Sequence, residues 1–207
     1  MRIAALTFYE NDDVFMPIWE RYYTPQVDTV HKVKWHTPDF DPTRIAKYLV
    51  DVAKELLRDH DALIYADLDE FIVPDPDKYT GLREYVELMT TDVAYTKGYD
   101  VLHTGKPLDL SKPILAQREL MSFSEYYCKP LIIKHPVPWA PGLHHFTGTI
   151  VAYKADNDLM LFHMALADKD IAISRSQNRA KLSQEALLEK LDRKNKELIP
   201  IKYLTSI

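Results

Sequence analysis

The sequence predicts an α/β fold, with a mostly parallel central sheet and an α+β elaboration in its C-terminal half. Three observations carry this. Short continuous apolar runs alternate with helically spaced apolar residues through the first third of the chain. Proline then recurs at Pro107, Pro113, Pro130, Pro136, Pro138 and Pro141, breaking the second half into short pieces. No repeat or low-complexity linker divides the 207 residues, a length that suits one domain. A single domain over 1–207 is therefore expected, with halves at 1–100 and 101–207.

Arg2 to Tyr9 is a short apolar run stopped by Glu10-Asn11-Asp12-Asp13, which predicts a buried strand. Phe15, Ile18, Trp19 and Tyr22 have helical spacing, so 14–23 reads as a helix, with Pro17 tolerated near its first turn. Val27 to Trp35 is a second strand. Asp41-Pro42 then supplies an N-cap acid and a first-turn proline, and Ile45, Leu49, Val52, Leu56 and Leu57 form one apolar face up to about His60. Ala62 to Ala66 is a third apolar strand, Thr80 to Met89 a helix and Val93 to Lys97 a strand. Beyond them, 113–117, 130–134, 147–153 and 159–163 are short strand candidates, and Ser176 to Lys196 is a charged helix striped by Leu182, Leu187, Leu188 and Leu191. Strand–helix alternation implies right-handed crossovers and parallel pairing.

Composition narrows the function. A net charge of −5 argues against duplex nucleic acid, whose affinity rests on basic phosphate contacts. Cys128 is the lone cysteine, which excludes an internal disulfide and a multi-cysteine zinc site and predicts a reducing, cytoplasmic setting. No apolar run reaches the roughly 18–20 residues of a membrane helix. The five glycines, Gly81, Gly98, Gly105, Gly142 and Gly148, have neither Walker nor dinucleotide spacing. A nucleotide bound here needs something other than a glycine cradle to neutralise its phosphates.

Asp67-Leu68-Asp69-Glu70 closes the third apolar strand. Ligands of open parallel sheets bind outside the carboxyl ends of strands. Carboxylates gathered there repel one another unless a cation sits among them, and oxygen donors suit Mg²⁺ or Mn²⁺. A solvated acidic turn is the plainer reading of the same residues. A haloacid-dehalogenase-like phosphatase would use Asp67 and Asp69 as nucleophile and acid, but prefers the motif on its first strand. A non-catalytic carbohydrate-binding domain would suit the 13 tyrosines.

Ile64-Tyr65-Ala66-Asp67-Leu68-Asp69-Glu70-Phe71 resembles the D-x-D region of nucleotide-sugar glycosyltransferases of the GT-A fold, in the family-2-like branch whose motif reads D-x-D-E-F. Thr7, Phe8, Tyr9 and Asn11 are similar to that family's uridine-binding first strand and loop. Gly98-Tyr99-Asp100-Val101, Lys129-Pro130-Leu131-Ile132, Pro141-Gly142-Leu143-His144-His145 and Leu161-Phe162-His163 resemble four further segments of it. The matches run from about Thr7 to His163.

The resemblance implies a metal-dependent transferase that moves a sugar from a UDP-sugar to a glycan hydroxyl. Residues 1–100 would form the nucleotide-binding half and 101–207 the acceptor side. Asp69 would coordinate Mn²⁺ or Mg²⁺, and His163 would complete the metal site. Asp67 would hold the donor's ribose or sugar, or the metal through water. Thr7, Tyr9 and Asn11 would lie against the uridine. Arg44 would reach the base or diphosphate, and Lys129 the diphosphate. His144 and His145 would meet donor or acceptor sugar, or shape their loop. Trp139 is a sugar-stacking platform or a core anchor.

An inverting transfer also needs a carboxylate to take the acceptor's proton. Glu119 and Glu125, expected in a short helix before Lys129, fit best by position, and Asp100 is next. Asp156 and Asp158 are further candidates. UDP-glucose and UDP-rhamnose are both compatible donors.

Overall fold

The computed structural model describes residues 1–9, 14–35, 41–147, 155–178 and 198–201. In chain order the elements are β1 (Ile3–Tyr9), α1 (Met16–Tyr23), β2 (Thr29–Lys34), α2 (Pro42–Leu56), β3 (Ala62–Tyr65), β4 (Glu70–Pro74), α3 (Leu82–Leu88), β5 (Val93–Tyr95), β6 (Lys97–Val101), β7 (Leu120–Phe123), β8 (Pro130–Ile133), β9 (Leu159–His163), α4 (Lys169–Asn178) and β10 (Ile199–Pro200). The chain forms two compact units, one of residues 1–97 and 125–161, the other of 98–124 and 162–207. The chain leaves the first unit after Lys97 and returns to it from Glu125 to Leu161.

The first unit is built on a five-stranded sheet in the order β2-β1-β3-β8-β5. β1 runs parallel to β2 and β3, pairing Ala5 with Val30 and with Ile64. β8 is antiparallel to both β3 and β5. The sheet is therefore mixed, and the expected parallel pairing holds only across β2-β1-β3. The reason lies just before β8. The chain enters it through a single 3-10 turn, Glu125–Tyr127, and no crossover helix is there to force parallel pairing.

Helix signals were the most readable. The Asp41 carboxylate accepts from the N–H groups of Thr43 (2.9 Å) and Arg44 (3.3 Å), satisfying two of the donors that a helix start leaves orphaned. Leu49 and Ala53 of α2 are fully buried. α1 buries Ile18, Trp19 and Tyr23, and fixes the backbone beyond the acidic motif. The Tyr23 hydroxyl donates to Glu70 O (3.1 Å) and accepts from Ile72 N (3.0 Å), and the Tyr22 hydroxyl donates to Ile72 O (2.6 Å). Burial pushes both phenols well above their ordinary pKa, so they stay neutral donors.

In the second unit β6, β7 and β10 form an antiparallel ladder. Tyr99 meets Phe123 and Phe162 at ring centroid distances of 6.0 and 6.1 Å. The buried Arg118 guanidinium donates to the carbonyls of Ala167 (2.5 Å), Gln117 (2.8 Å) and Lys106 (2.8 Å). Asp168, beside it, accepts from the N–H groups of Asp170 and Ile171 and so starts α4.

The expected strand at 113–117 is instead a 3-10 turn, Leu115–Gln117. Pro113 cannot donate to a ladder, and the Gln117 amide ties the segment to itself through Asp109 and Pro113. Glu119 leads into β7 rather than lying in a helix, while Glu125 opens the 3-10 turn before Lys129. The expected strand 147–153 falls almost entirely outside the described residues, as does the helix expected at 176–196. The described helix there starts earlier, at Lys169.

A histidine relay ties the end of α2 to β2. His31 Nε2 lies 3.0 Å from Thr29 Oγ1, which lies 2.8 Å from His60 Nε2, and His60 Nδ1 donates to Leu56 O (2.8 Å). Burial first, then the nearby His60, lowers the His31 pKa below its ordinary 6.5. The neutral ring is the one that the fold favours. Its stabilisation is present above pH 6.5 and is lost as pH falls from there through the lowered folded value. Chemical denaturation of the wild type from pH 7.5 to 5.5 will show a fall in stability that His31→Asn reduces. Tyr23→Phe will cost about 1–3 kcal/mol by urea denaturation, because Ile72 N and Glu70 O lose a buried partner.

Candidate functional site

The acidic motif leaves β3 at its carboxyl end and turns at once into β4. The turn closes through Glu70 N to Asp67 O (2.9 Å) and Asp67 N to Glu70 Oε2 (3.3 Å). Strand alternation puts Tyr65 and Asp67 on one side, and the Tyr65 hydroxyl donates to Asp67 Oδ1 at 2.6 Å. Asp69 and Glu70 are buried, whereas the Asp67 side chain keeps 41% of its surface exposed. A carboxylate that reaches solvent thus stands beside two that do not.

Lys129, on the turn into β8, answers this charge. Its side chain is 4% exposed, and its Nζ lies 2.5 Å from Glu70 Oε1 and 3.5 Å from Asp67 Oδ2. The ammonium also sits 5.3 Å from the centre of the Tyr127 ring. Burial works against its charge, but Glu70, Asp67 and Asp69 outweigh that and raise its pKa above the ordinary lysine value. Tyr65 is pushed up by burial, then by Asp67, and keeps its proton.

His144 borders the same group. Its Nδ1 contacts Tyr126 O, and burial followed by the Lys129 charge lowers its pKa. The turn that presents it, Pro141-Gly142-Leu143, places both Gly142 (φ 84°) and Leu143 (φ 64°) in the left-handed region. The positive φ favours glycine at 142, and a Cβ there would also crowd the His144 ring at 3.0 Å. His145 is exposed. Trp139 is buried and its Nε1 donates to Pro130 O (3.1 Å); it anchors the loop and is no sugar-stacking platform.

The remaining expected residues divide. Thr7 is fully buried within β1, Tyr9 is half-buried at its end, and Arg44 is exposed on the first turn of α2; Asn11 lies outside the described residues. Glu119 and Glu125 are exposed. Asp156 accepts from the Tyr85 hydroxyl (2.6 Å), and Asp158 pairs with Lys78 (2.6 Å), so both hold local structure. In the second unit the buried Asp100 carboxylate lies 2.8 Å from His163 Nδ1. A buried carboxylate committed to an imidazole is badly placed to take a proton from an acceptor, and orienting His163 is the role its geometry serves.

Sequence reasoning did not single out Tyr65 and Tyr127, and read Glu70 only as one of the gathered carboxylates. The Tyr-Ala-Asp spacing on a strand was the available signal for Tyr65. It also overlooked the rings around Phe8, which meet at centroid distances of 6.4 Å for Trp35, 5.7 Å for Tyr48 and 5.9 Å for Tyr65.

Among the described residues, no group of three or more His, Cys, Asp or Glu side chains is placed to hold a metal. The donor set at the motif still fits a divalent cation of one kind. Mg²⁺ and Mn²⁺ take one or two carboxylates and fill their remaining positions with phosphate and water. Asp67 and Asp69 could supply those carboxylates. They fit a cation that arrives with a phosphate ligand, and do not make a cage for a bare ion.

No protein-family model matches the chain, and no curated protein matches it. One solved structure similar to the chain is a glycosyltransferase involved in the glycosylation of the major capsid of PBCV-1, with a TM-score of 0.33 and 12% identity. The match covers 51% of this chain and 53% of that one, about half of each. No described helix is long and apolar enough to cross a membrane.

The Lys129–Glu70 pair should behave as one energetic unit. Lys129→Met and Glu70→Leu will each cost about 3–5 kcal/mol by leaving a buried charge without its partner, and the double variant will recover most of that loss. Urea denaturation of all four proteins measures the coupling; additive losses would show that the two charges act independently.

Proposed function

We propose that this chain is a glycosyltransferase of GT-A type, which moves a sugar from a UDP-sugar to a glycan hydroxyl with Mn²⁺ or Mg²⁺ as cofactor. One observation carries the reading. Asp67 and Asp69 stand at the carboxyl end of a central strand, in a turn held by Tyr65, Glu70 and Lys129, with one carboxylate open to solvent. Gathering three carboxylates at one turn is costly through like-charge repulsion, and a cation among them offsets that cost.

Asp67 and Asp69 would hold the cation. When bound, it neutralises the diphosphate and stabilises it as a leaving group. Tyr65 fixes Asp67 through its hydroxyl, so the carboxylate is oriented before a ligand arrives. His144, half-buried and under the influence of the Lys129 and Asp67 charges, would meet a donor group. His163, in the second unit, is oriented by Asp100.

For an inverting transfer, Glu125 and Glu119 keep exposed carboxylates able to accept the acceptor's proton. Asp100 does not suit that role. UDP-glucose and UDP-rhamnose are the donors to try first. The single cysteine suits a reducing cytoplasm, which for a viral chain is the host's.

UDP should raise the melting temperature only with Mn²⁺ or Mg²⁺ present, because metal and diphosphate bind as one unit. Asp69→Ala should abolish that shift, together with transfer from a panel of UDP-sugars. An equal shift in EDTA would remove the metal from the reading. Phosphate release from simple phosphomonoesters, lost in Asp67→Asn, would instead make the chain a phosphatase. Glycan binding indifferent to both UDP and Mn²⁺ would make it a binding domain.

A further inference from the structure

Lys129 does more than balance charge. Both oxygens of Asp67 are engaged: Oδ1 accepts from the Tyr65 hydroxyl at 2.6 Å, and Oδ2 faces the Lys129 ammonium at 3.5 Å. A cation that takes Asp67 must therefore contend with Lys129. The ammonium is held unequally, at 2.5 Å from Glu70 and 3.5 Å from Asp67. It can give up the longer contact and keep the shorter one. Glu70 is buried and also accepts from Asp67 N, so the anchor that retains Lys129 belongs to the same turn that carries the metal-binding carboxylates.

We propose that Lys129 is an internal competitor for the metal cation, a positioning residue that weakens cation binding in the nucleotide-free protein so that the metal is taken up together with the diphosphate. The proposal rests on the metal-dependent reading above and deepens it. Asp67, Asp69 and Glu70 set against one ammonium leave two negative charges at the turn, where three would stand without the lysine. A lower charge binds a bare divalent cation less tightly. An arriving diphosphate restores the missing negative charge and supplies oxygen ligands that the protein lacks. Lys129 is thus a device for ordered or concerted loading.

The test is Mn²⁺ binding at fixed pH without nucleotide, followed by electron paramagnetic resonance of free Mn²⁺. Lys129→Met should tighten binding about tenfold and Glu70→Gln should weaken it about tenfold, since the two variants change the local charge in opposite directions. A purely structural pair predicts a loss in both. Shifts of the same sign, or no shift in either, overturn the proposal. If Lys129→Met fails to fold, Lys129→Gln is measured in its place, and unchanged or weaker binding overturns the proposal. The Mn²⁺-dependent UDP stabilisation of the wild type is measured alongside. Where that stabilisation is present and the variants do not respond as expected, only the Lys129 proposal falls. Where the wild type binds no Mn²⁺ even with UDP, the metal-dependent reading falls with it.

Discussion

An ammonium group buried among carboxylates is the constraint that organises the first unit. Lys129 and Glu70 are both excluded from solvent, and neither charge would be tolerable alone. Their pairing ties β8 to the turn between β3 and β4, elements that are distant in sequence. It also explains why β8 enters the sheet where it does. Pro130 follows the lysine directly and starts the strand that lies antiparallel to β3, so the charge pair and the strand register fix each other. The acidic turn is also held by α1, whose two adjacent tyrosines bond the backbone at Glu70 and Ile72. The residues that face solvent at this turn are thus supported by residues that do not.

Much of this was legible in the sequence wherever one local signal decided the outcome. Asp41-Pro42 announced a capped helix, and the capping geometry follows. The apolar runs at residues 3–9 and 62–65 announced buried strands that lead to a carboxyl-end site. Long-range pairing was not legible. Nothing local says that β8 inserts antiparallel between β3 and β5, because that depends on pairing with strands distant in sequence. The 113–117 segment failed for a related reason: its apolar composition fits a strand, but the Gln117 side chain satisfies the backbone locally and no partner strand is needed.

The candidate site divides along the same line. Asp67 and Asp69 were visible because a carboxylate pair at the end of an apolar strand is unusual in itself. Lys129 was visible only as a cation in a similar segment, and its burial against Glu70 could not be read from residues 59 positions away. Asp100 is a different case: its position suggests a base, and its carboxylate lies buried 2.8 Å from His163 Nδ1. Residue type and order can nominate a group for proton transfer, but exposure and committed hydrogen bonds decide whether it can serve.

The scarcity of glycine has a consequence once the site is in view. A phosphate cradle made of backbone amides needs closely spaced glycines, and this chain spends one of its five on the turn that carries His144. There the left-handed backbone continues into Leu143, a residue that adopts it only where the surroundings insist. Backbone freedom is therefore used to aim a side chain and not to wrap an anion. Lys129 cannot take over the task entirely, since its ammonium is already bound to Glu70 and sealed from solvent. On the reading proposed above, with Lys129 committed to Glu70, a diphosphate at this turn would be met by a divalent cation shared with Asp67 and Asp69.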